Sequence, residues 1–306
     1  MSQKLPFFSI IIPTFNRPSQ VTTCLQALTR LDYPRDHFEV IVVDDGSHPP
    51  IGLMVSLFSQ KIDVKLVTQN HAGPSKARNT GAAKAKGNFL VFTDDDCVPV
   101  PDWLQKLSMG FTEFSNHMIG GKTLNALPNN IYSSVSQLII DAVYSYYNVF
   151  PNRPSYFTSN NIALPSEAFY AIGGFNDTFM FAEDREFCDQ WLRHGYQMTQ
   201  FPEVVLYHAH VLTLLTFWRQ HFNYGRGAYR YHHARAQRGA GPFRPDLKFY
   251  FRLFSYPLSQ VRGLRLLWLS ILLLISQISN TVGFFWEMGR RLIRENDQIH
   301  SSRPHD

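Results

Sequence analysis

The chain has 306 residues, 44% of them hydrophobic and 17% charged, with a formal net charge of +5. That composition suits a globular protein of one large or two small domains, and it excludes a fibrous, repetitive or disordered chain. Three widely spaced cysteines, Cys24, Cys97 and Cys188, make no CxxC pair. They exclude a disulfide framework or a cysteine-based zinc site and favour a reducing compartment. The charge is unevenly placed. Residues 217–300 hold 13 Lys or Arg against 4 Asp or Glu, a balance of +9, which leaves −4 for residues 1–216.

From the N-terminus, residues 1–6 lead directly into a strand-like run, so no signal peptide is expected. Residues 7–12 form that apolar run, and Pro13-Thr14-Phe15-Asn16-Arg17-Pro18 turns it into a helix bearing Val21, Leu25 and Leu28. Residues 38–43 read as a second buried strand ending in Asp44-Asp45-Gly46-Ser47. A helix near 50–60 and a third strand at 64–67 follow. Gly73-Pro74 opens a helix through Ala85, and Gly87 stops it before a fourth strand at 89–93. Continuous apolar strands separated by amphipathic helices predict a parallel sheet covered on both faces, with ligands beyond the strands' carboxyl ends.

That fourth strand ends in Asp94-Asp95-Asp96. Three adjacent carboxylates repel one another, and a divalent cation removes the cost. A capped loop ahead of the helix near 103 would need one acid, not three. Thr14, Asp44, Asp45 and the triplet all fall at strand ends, so separate segments converge on one cleft.

Beyond residue 115 the pattern loosens, with short strands at 118–120 and 162–164 and a helix near 131–147. A further helix runs from Glu183 to His194 and stops at Gly195. Asp184, Cys188 and Trp191 share one of its faces, and with Trp191 and Leu192 expected inside, Asp184 points inward. Glu183 and Asp184 would also complement the helix dipole, a role that does not require Asp184 to face inward. His208 and His210 lie on one side of the segment that ends another strand.

In this order the motifs resemble the inverting family 2 glycosyltransferases of the GT-A fold. The resemblance rests on Ile11-Ile12-Pro13-Thr14-Phe15-Asn16-Arg17, Val42-Val43-Asp44-Asp45-Gly46-Ser47, Ala77-Arg78-Asn79-x-Gly81, Asp94-x-Asp96, Gly173-Gly174-Phe175 and Glu183-Asp184, across roughly residues 7–210. It implies an α/β, Rossmann-like, mostly parallel sheet with helices on both faces and a helical C-terminal tail. Residues 1–212 would be the transferase domain, 1–115 its donor half and 116–212 its acceptor half, followed by a basic, aromatic region at 213–306. The implied partners are a nucleotide-diphospho-sugar donor and a saccharide or lipid-linked acceptor; the Leu and Ile content beyond residue 264 speaks against nucleic acid as the partner of the basic tail.

The same resemblance assigns roles. Thr14 and Asp44 or Asp45 would meet the base and ribose, with Arg17, Arg78, Asp94 and Asp95 also on the donor side. Asp96 would hold Mn2+ or Mg2+, with Asp94, His208 and His210 as further candidate ligands, and Asp184 would be the general base. Arg78 has the simpler alternative of a solvated helix face. The stretch Gln220 to Gly227 would border the acceptor or cover the diphosphate, with Arg226 assisting.

Asp94-Asp95-Asp96-Cys97-Val98 also fits, formally, the nucleophile loop of a haloacid dehalogenase-type phosphohydrolase, with Asp184 and Asp189 as its acidic metal motif. In that fold the nucleophile strand usually comes first, whereas here three strands precede it. A catalytically silent nucleotide-binding module is the third reading. In the tail, residues 266–286 carry no charge and are flanked by arginines, so the segment is long enough to span a bilayer. Polar residues in its second half leave a spanning, an interfacial and a core helix all open. A membrane surface would place the protein at the cytoplasmic face of the cell membrane.

Overall fold

The computed structural model describes residues 5–151 and 153–301, with side chains described through residue 294. Residues 1–4, on which the signal-peptide expectation partly falls, lie outside that range. In chain order the elements are β1 (Phe8–Thr14), α1 (Pro18–Leu28), β2 (Phe38–Asp44), α2 (Gly52–Ser56), β3 (Val64–Thr68), α3 (Pro74–Ala82), β4 (Phe89–Phe92), β5 (Cys97–Pro99), α4 (Trp103–Glu113), β6 (Met118–Asn125), α5 (Ile131–Tyr147), β7 (Ile162–Pro165), α6 (Ser166–Ala171), α7 (Glu183–Arg193), β8 (Met198–His208), α8 (Leu214–Arg235), α9 (Leu247–Gln260) and α10 (Leu264–Ser301). Two compact units emerge, one of residues 1–129 and 143–211, the other of 130–142 and 212–306.

The first unit is built on one eight-stranded sheet in the order β3-β2-β1-β4-β7-β6-β8-β5. β3, β2, β1 and β4 run parallel, while β7 is antiparallel to both β4 and β6. β1 and β2 are almost wholly buried, as their unbroken apolar runs require of a sheet covered on both faces. The register sets Thr14 beside Asp44 and Asp44 beside Thr68, so the polar residues that end these strands stand level. Thr93 N–H donates to the Ile11 carbonyl, which brings the start of the acidic triplet to the same edge.

Two apolar clusters fill the faces of this sheet. One joins Ile10, Ile12, Val21, Leu25 and Trp103, the other Ile11, Phe92, Phe175, Phe187 and Trp191. Trp103 also donates through Nε1 to Asn161 Oδ1 at 3.0 Å, so its one polar atom is satisfied in the core. Three details differ from expectation. The helix near 50–60 is short, only Gly52–Ser56. β5 is a strand that the sequence pattern does not announce, because three residues show no period. Leu192 is 38% exposed rather than buried, since it lies about 100° round the helix from the fully buried Trp191.

The second unit gathers Val135, Leu138, Ala142, Leu212, Phe217, Leu253, Leu269, Leu272 and Leu273 into its own core. α8 begins with a reciprocal cap in which Thr213 and Thr216 bond each other's side chains and backbone N–H groups. The basic, aromatic tail is thus helical.

α3 seats on the sheet through Gly81, where an added Cβ would meet Ile11 Cγ2 at 2.6 Å and Val43 Cγ2 at 2.9 Å. Both neighbours are β-branched and stiff. Gly81→Ala is expected to destabilise the protein by about 1–3 kcal/mol, measured as a lower midpoint of thermal or denaturant unfolding; an unchanged midpoint would mean that α3 is not seated this way.

Candidate functional site

Three consecutive carboxylates at one strand end must be separated or neutralised. The fold does this with cations from three other segments. Asp94 accepts from Arg78 Nη2 at 2.7 Å. Asp95 accepts from Thr14 Oγ1 at 2.6 Å and from Arg17 Nη1 at 3.1 Å. Asp96 accepts from the same Arg17 Nη1 at 3.0 Å, and His208 Nε2 lies 3.0 Å from its Oδ1.

The histidines arrive through strand register. β5 pairs antiparallel with β8 so that Cys97 stands opposite His208, and Ala209 N–H donates to the Asp96 carbonyl at 2.8 Å. His208 and His210 therefore flank Asp96, with their rings 3.9 Å apart. One ligand atom from each of Asp96, His208 and His210 falls within 4.8 Å of the others. His208 makes no aligned hydrogen bond to Asp96 Oδ1, which leaves that buried oxygen without a hydrogen-bond partner. A carboxylate oxygen with no aligned hydrogen bond, 3.0 Å from one imidazole and close to a second, fits a divalent cation. Asp94 stands outside this group and pairs with Arg78 instead.

Burial pushes the Asp95 carboxyl up to about 6, against the pull of Arg17. Asp96 is buried too, yet the neighbouring His208 charge wins and holds it well below the usual carboxylate range. For His208 the balance is the mirror image: burial opposes the charged ring, but Asp96 raises it.

Asp44 and Asp45 serve the loops beyond β2. Asp44 Oδ1 accepts from Ser47 N–H at 2.9 Å. Asp45 is fully engaged, taking Ala72 N–H at 2.9 Å, Gly73 N–H at 2.8 Å, Gln69 Nε2 at 2.6 Å and His71 Nδ1 at 2.9 Å. Its carboxylate shapes the 69–73 loop at the start of α3. Asn16 carries a left-handed backbone (φ 56°), held by its N–H to Ser47 Oγ and by His48 N–H to its Oδ1. Phe15 stacks on His71 at 4.0 Å beside this turn.

The expected base is reached through Arg78. This buried guanidinium donates to Asp94 and, through Nη1, to Glu183 Oε1 at 2.9 Å. It is no solvated helix surface. Next along α3, Asn79 donates to the Phe175 carbonyl at 2.7 Å and accepts from the Phe175 N–H at 2.9 Å. Gly174 is required there, with a left-handed φ of 72° and no room for a Cβ, which would lie 2.7 Å from Asn79 Oδ1. The Ala-Arg-Asn and Gly-Gly-Phe motifs are thus two halves of one joint. Ala182 then takes the other non-glycine left-handed conformation among the described residues (φ 59°) to start α7 at Glu183.

Asp184 is held at both oxygens. Tyr156 donates its hydroxyl to Oδ2 at 2.8 Å and Arg185 N–H donates to Oδ1 at 2.7 Å. Burial raises Asp184 above the ordinary aspartate value and pushes Glu183 up to about 7, with Arg78 pulling the other way. Tyr156 goes unannounced in the sequence, because a tyrosine 28 residues from its partner carries no local signal. Arg226 lies in the second unit, where its Nε donates to Glu287 at 2.8 Å.

With this geometry in view, the chain matches the description "Glycosyl transferase family 2" across residues 9–176, more than half its length. The chain belongs to that family, which displaces the phosphohydrolase reading. It is 34% identical to glycosyltransferase AglE of Haloferax volcanii over 131 residues, 42% of this chain and 43% of that protein. It is 27% identical to the probable glycosyltransferase YdaM of Bacillus subtilis over 74% of this chain and 56% of that one. The chain thus spans about half the length of these curated relatives. Its fold is similar to that of mannosyltransferase PcManGT from Pyrobaculum calidifontis, solved in complex with GDP-Man and Mn2+ (TM-score 0.67, 17% identity, 93% of this chain and 88% of that one). It is also similar to Staphylococcus aureus TarS 1-349 in complex with UDP-GlcNAc (TM-score 0.52, 17% identity, 94% and 92%). The architecture is that of the GT-A fold.

A hydrogen bond to the charged carboxylate lowers its pKa, so removing the Tyr156 hydroxyl raises that of Asp184 further. If the carboxylate form is the working one, Tyr156→Phe moves the acid limb of the kcat profile to higher pH and leaves the plateau nearly in place. An acid limb at the wild-type position would show that this contact does not bear on Asp184.

Proposed function

We propose that this protein transfers a sugar from a nucleotide-diphospho-sugar to an acceptor hydroxyl, with inversion at the anomeric carbon and dependence on a divalent metal. The observation that carries the reading is Arg78, which bonds Asp94 of the triplet on one side and Glu183, the residue before Asp184, on the other, while Arg17 holds Asp95 and Asp96. The buried Arg78 thus lies between the donor-side acids and the start of the helix that bears the base, as a displacement between two bound substrates requires.

Residues 1–115 form the donor half and 116–212 the acceptor half, followed by the C-terminal region from 213, which shares its core with residues 130–142. Thr14, Arg17, Asp44 and Asp45 line the base and ribose side, Asp45 by fixing the 69–73 loop. Arg78, Asp94 and Asp95 set the sugar side. Asp96 with His208 and His210 would hold Mn2+ or Mg2+, Mn2+ being favoured by the two imidazoles. A bound ion supplies positive charge against the departing nucleoside diphosphate. Asp184 takes the acceptor hydroxyl proton as that oxygen bonds to the anomeric carbon and the bond to the diphosphate breaks on the opposite face. The proton ends on Asp184 and the electron pair on the leaving diphosphate. One such displacement inverts the centre with no covalent sugar–enzyme intermediate.

The similar structures, one in complex with GDP-Man and one with UDP-GlcNAc, support this donor class. The acceptor is read as a saccharide or a lipid-linked glycan in cell-surface polysaccharide or glycolipid synthesis, met on the cytoplasmic side of a membrane.

A panel of UDP- and GDP-sugars, with and without Mn2+, tests the reading by thermal shift and by nucleoside diphosphate release. Asp184→Asn is expected to keep donor affinity while kcat falls by about 10²–10⁴. Asp96→Asn is expected to lose the Mn2+-dependent part of donor binding. Near wild-type turnover in Asp184→Asn would remove it as the base.

A further inference from the structure

α9 and α10 each bury one apolar face and expose another. Inward, Leu253 of α9 and Leu269, Leu272 and Leu273 of α10 join the core of the second unit. Outward, Leu267, Ile271, Leu274, Ile278, Val282 and Phe285 follow one another every three or four residues along α10, each 40–56% exposed. On α9, Leu247, Phe251 and Leu258 do the same, and are exposed still further. A helix that is apolar all round belongs in apolar surroundings on both sides, and a contiguous exposed stripe of this length marks a docking surface. α10 is also the one helix among the described residues long and apolar enough to cross a membrane, by length and composition.

Its packing argues against crossing. Glu287 accepts from Arg226 Nε at 2.8 Å and from Arg230 Nη2 at 2.6 Å, both on α8. Ser279 Oγ donates to the Trp218 carbonyl at 2.7 Å. A Cβ on Gly225 would fall 1.8 Å from the Asn280 carbonyl oxygen, and one on Gly283 would fall 1.9 Å from that of Phe222. α8 and α10 are fastened backbone to backbone. An α10 crossing at 266–286 would carry the stretch of α8 fastened to it, with Arg219, Gln220 and Asn223, into hydrocarbon or abandon these contacts.

Charge selects the occupant. Residues 247–301, the two helices, contain seven Lys or Arg and three acids, of which Glu287 is buried and paired while Glu295 and Asp297 follow the last arginine. Arg262 and Arg265 are exposed near the start of α10, and Arg290 and Arg294 near the end of its described part. Pairing α10 with a second copy, parallel or antiparallel, would bring cations against cations. An anionic lipid surface turns the same charges into attraction. We propose that the outward faces of α9 and α10 lay this unit in the plane of an anionic phospholipid membrane without crossing it.

The inference extends the membrane-side placement proposed above. Its test reads lipid binding, so it can fail while metal-dependent donor binding stands, and the reverse. The full-length protein is sedimented with vesicles of phosphatidylcholine alone or with phosphatidylglycerol added, at about 0.1 M and about 1 M salt. Binding is expected to be at least about tenfold tighter to the anionic vesicles at the lower salt, to lose that gain at the higher, and to be reversed by alkaline carbonate. Phe251→Glu and Ile271→Glu, on the outward faces, are expected to weaken it about tenfold each while Mn2+-dependent binding of a nucleoside diphosphate is unchanged. Equal binding to neutral vesicles that resists carbonate would overturn the proposal in favour of a crossing helix. Absence of vesicle binding, with a concentration-dependent dimer dissolved by Ile271→Glu, would overturn it in favour of a second copy.

Discussion

Three carboxylates in a row at the end of a buried strand cannot be tolerated without compensation, and much of the first unit can be understood as the means of supplying it. Arg17 comes from the loop after β1, Arg78 from α3 and His208 from the end of β8. Each acid thereby has its own cationic neighbour, and two of them are driven apart in proton affinity: Asp95 is raised by burial, whereas Asp96 is held low by His208 despite burial. One oxygen of Asp96 is left without a hydrogen bond beside two imidazoles. That oxygen meets the His208 ring at 3.0 Å, and a metal cation there would take the place of the ring's proton.

The same demand ties the two ends of the site together. Arg78 has donors to spare after Asp94, since a buried guanidinium carries five N–H groups. Glu183 takes the second side of the fork, so the start of α7, and with it Asp184, is positioned by the donor-side acids. Asn79 and Gly174 secure that approach from the neighbouring turn. Left-handed backbone at Asn16 and Ala182 occurs on the two loops that deliver Arg17 and Glu183, which is where local strain would be retained for function.

Much of this was legible in the residues themselves. Apolar runs ending in acid mark strands whose carboxyl ends meet, and the register of β1, β2 and β3 follows from their length and burial. The face shared by Asp184, Cys188 and Trp191 follows from helical period. What stays hidden is nonlocal or too short to show a period: the Tyr156–Asp184 bond, the capture of Asp45 by backbone N–H groups of the 69–73 loop, and β5, whose three residues bring His208 to Asp96. Leu192 misled for the opposite reason, since hydrophobicity alone does not tell which side of a helix a residue occupies. In the tail, hydropathy cannot separate a crossing helix from one that is fastened to a polar neighbour; the close packing of α8 along residues 279–283 is the observation that argues against crossing.

The central claim is that Asp96 and its histidines grip a cation at the place where a diphosphate binds. Crystals grown with Mn2+ and a nucleoside diphosphate, measured at the manganese absorption edge, test it most directly. The account predicts one anomalous peak within coordination distance of the Asp96 carboxylate, of at least one of His208 and His210, and of a diphosphate oxygen. A diphosphate bound at the strand ends with no manganese beside Asp96, or manganese bound elsewhere on the chain, would contradict it.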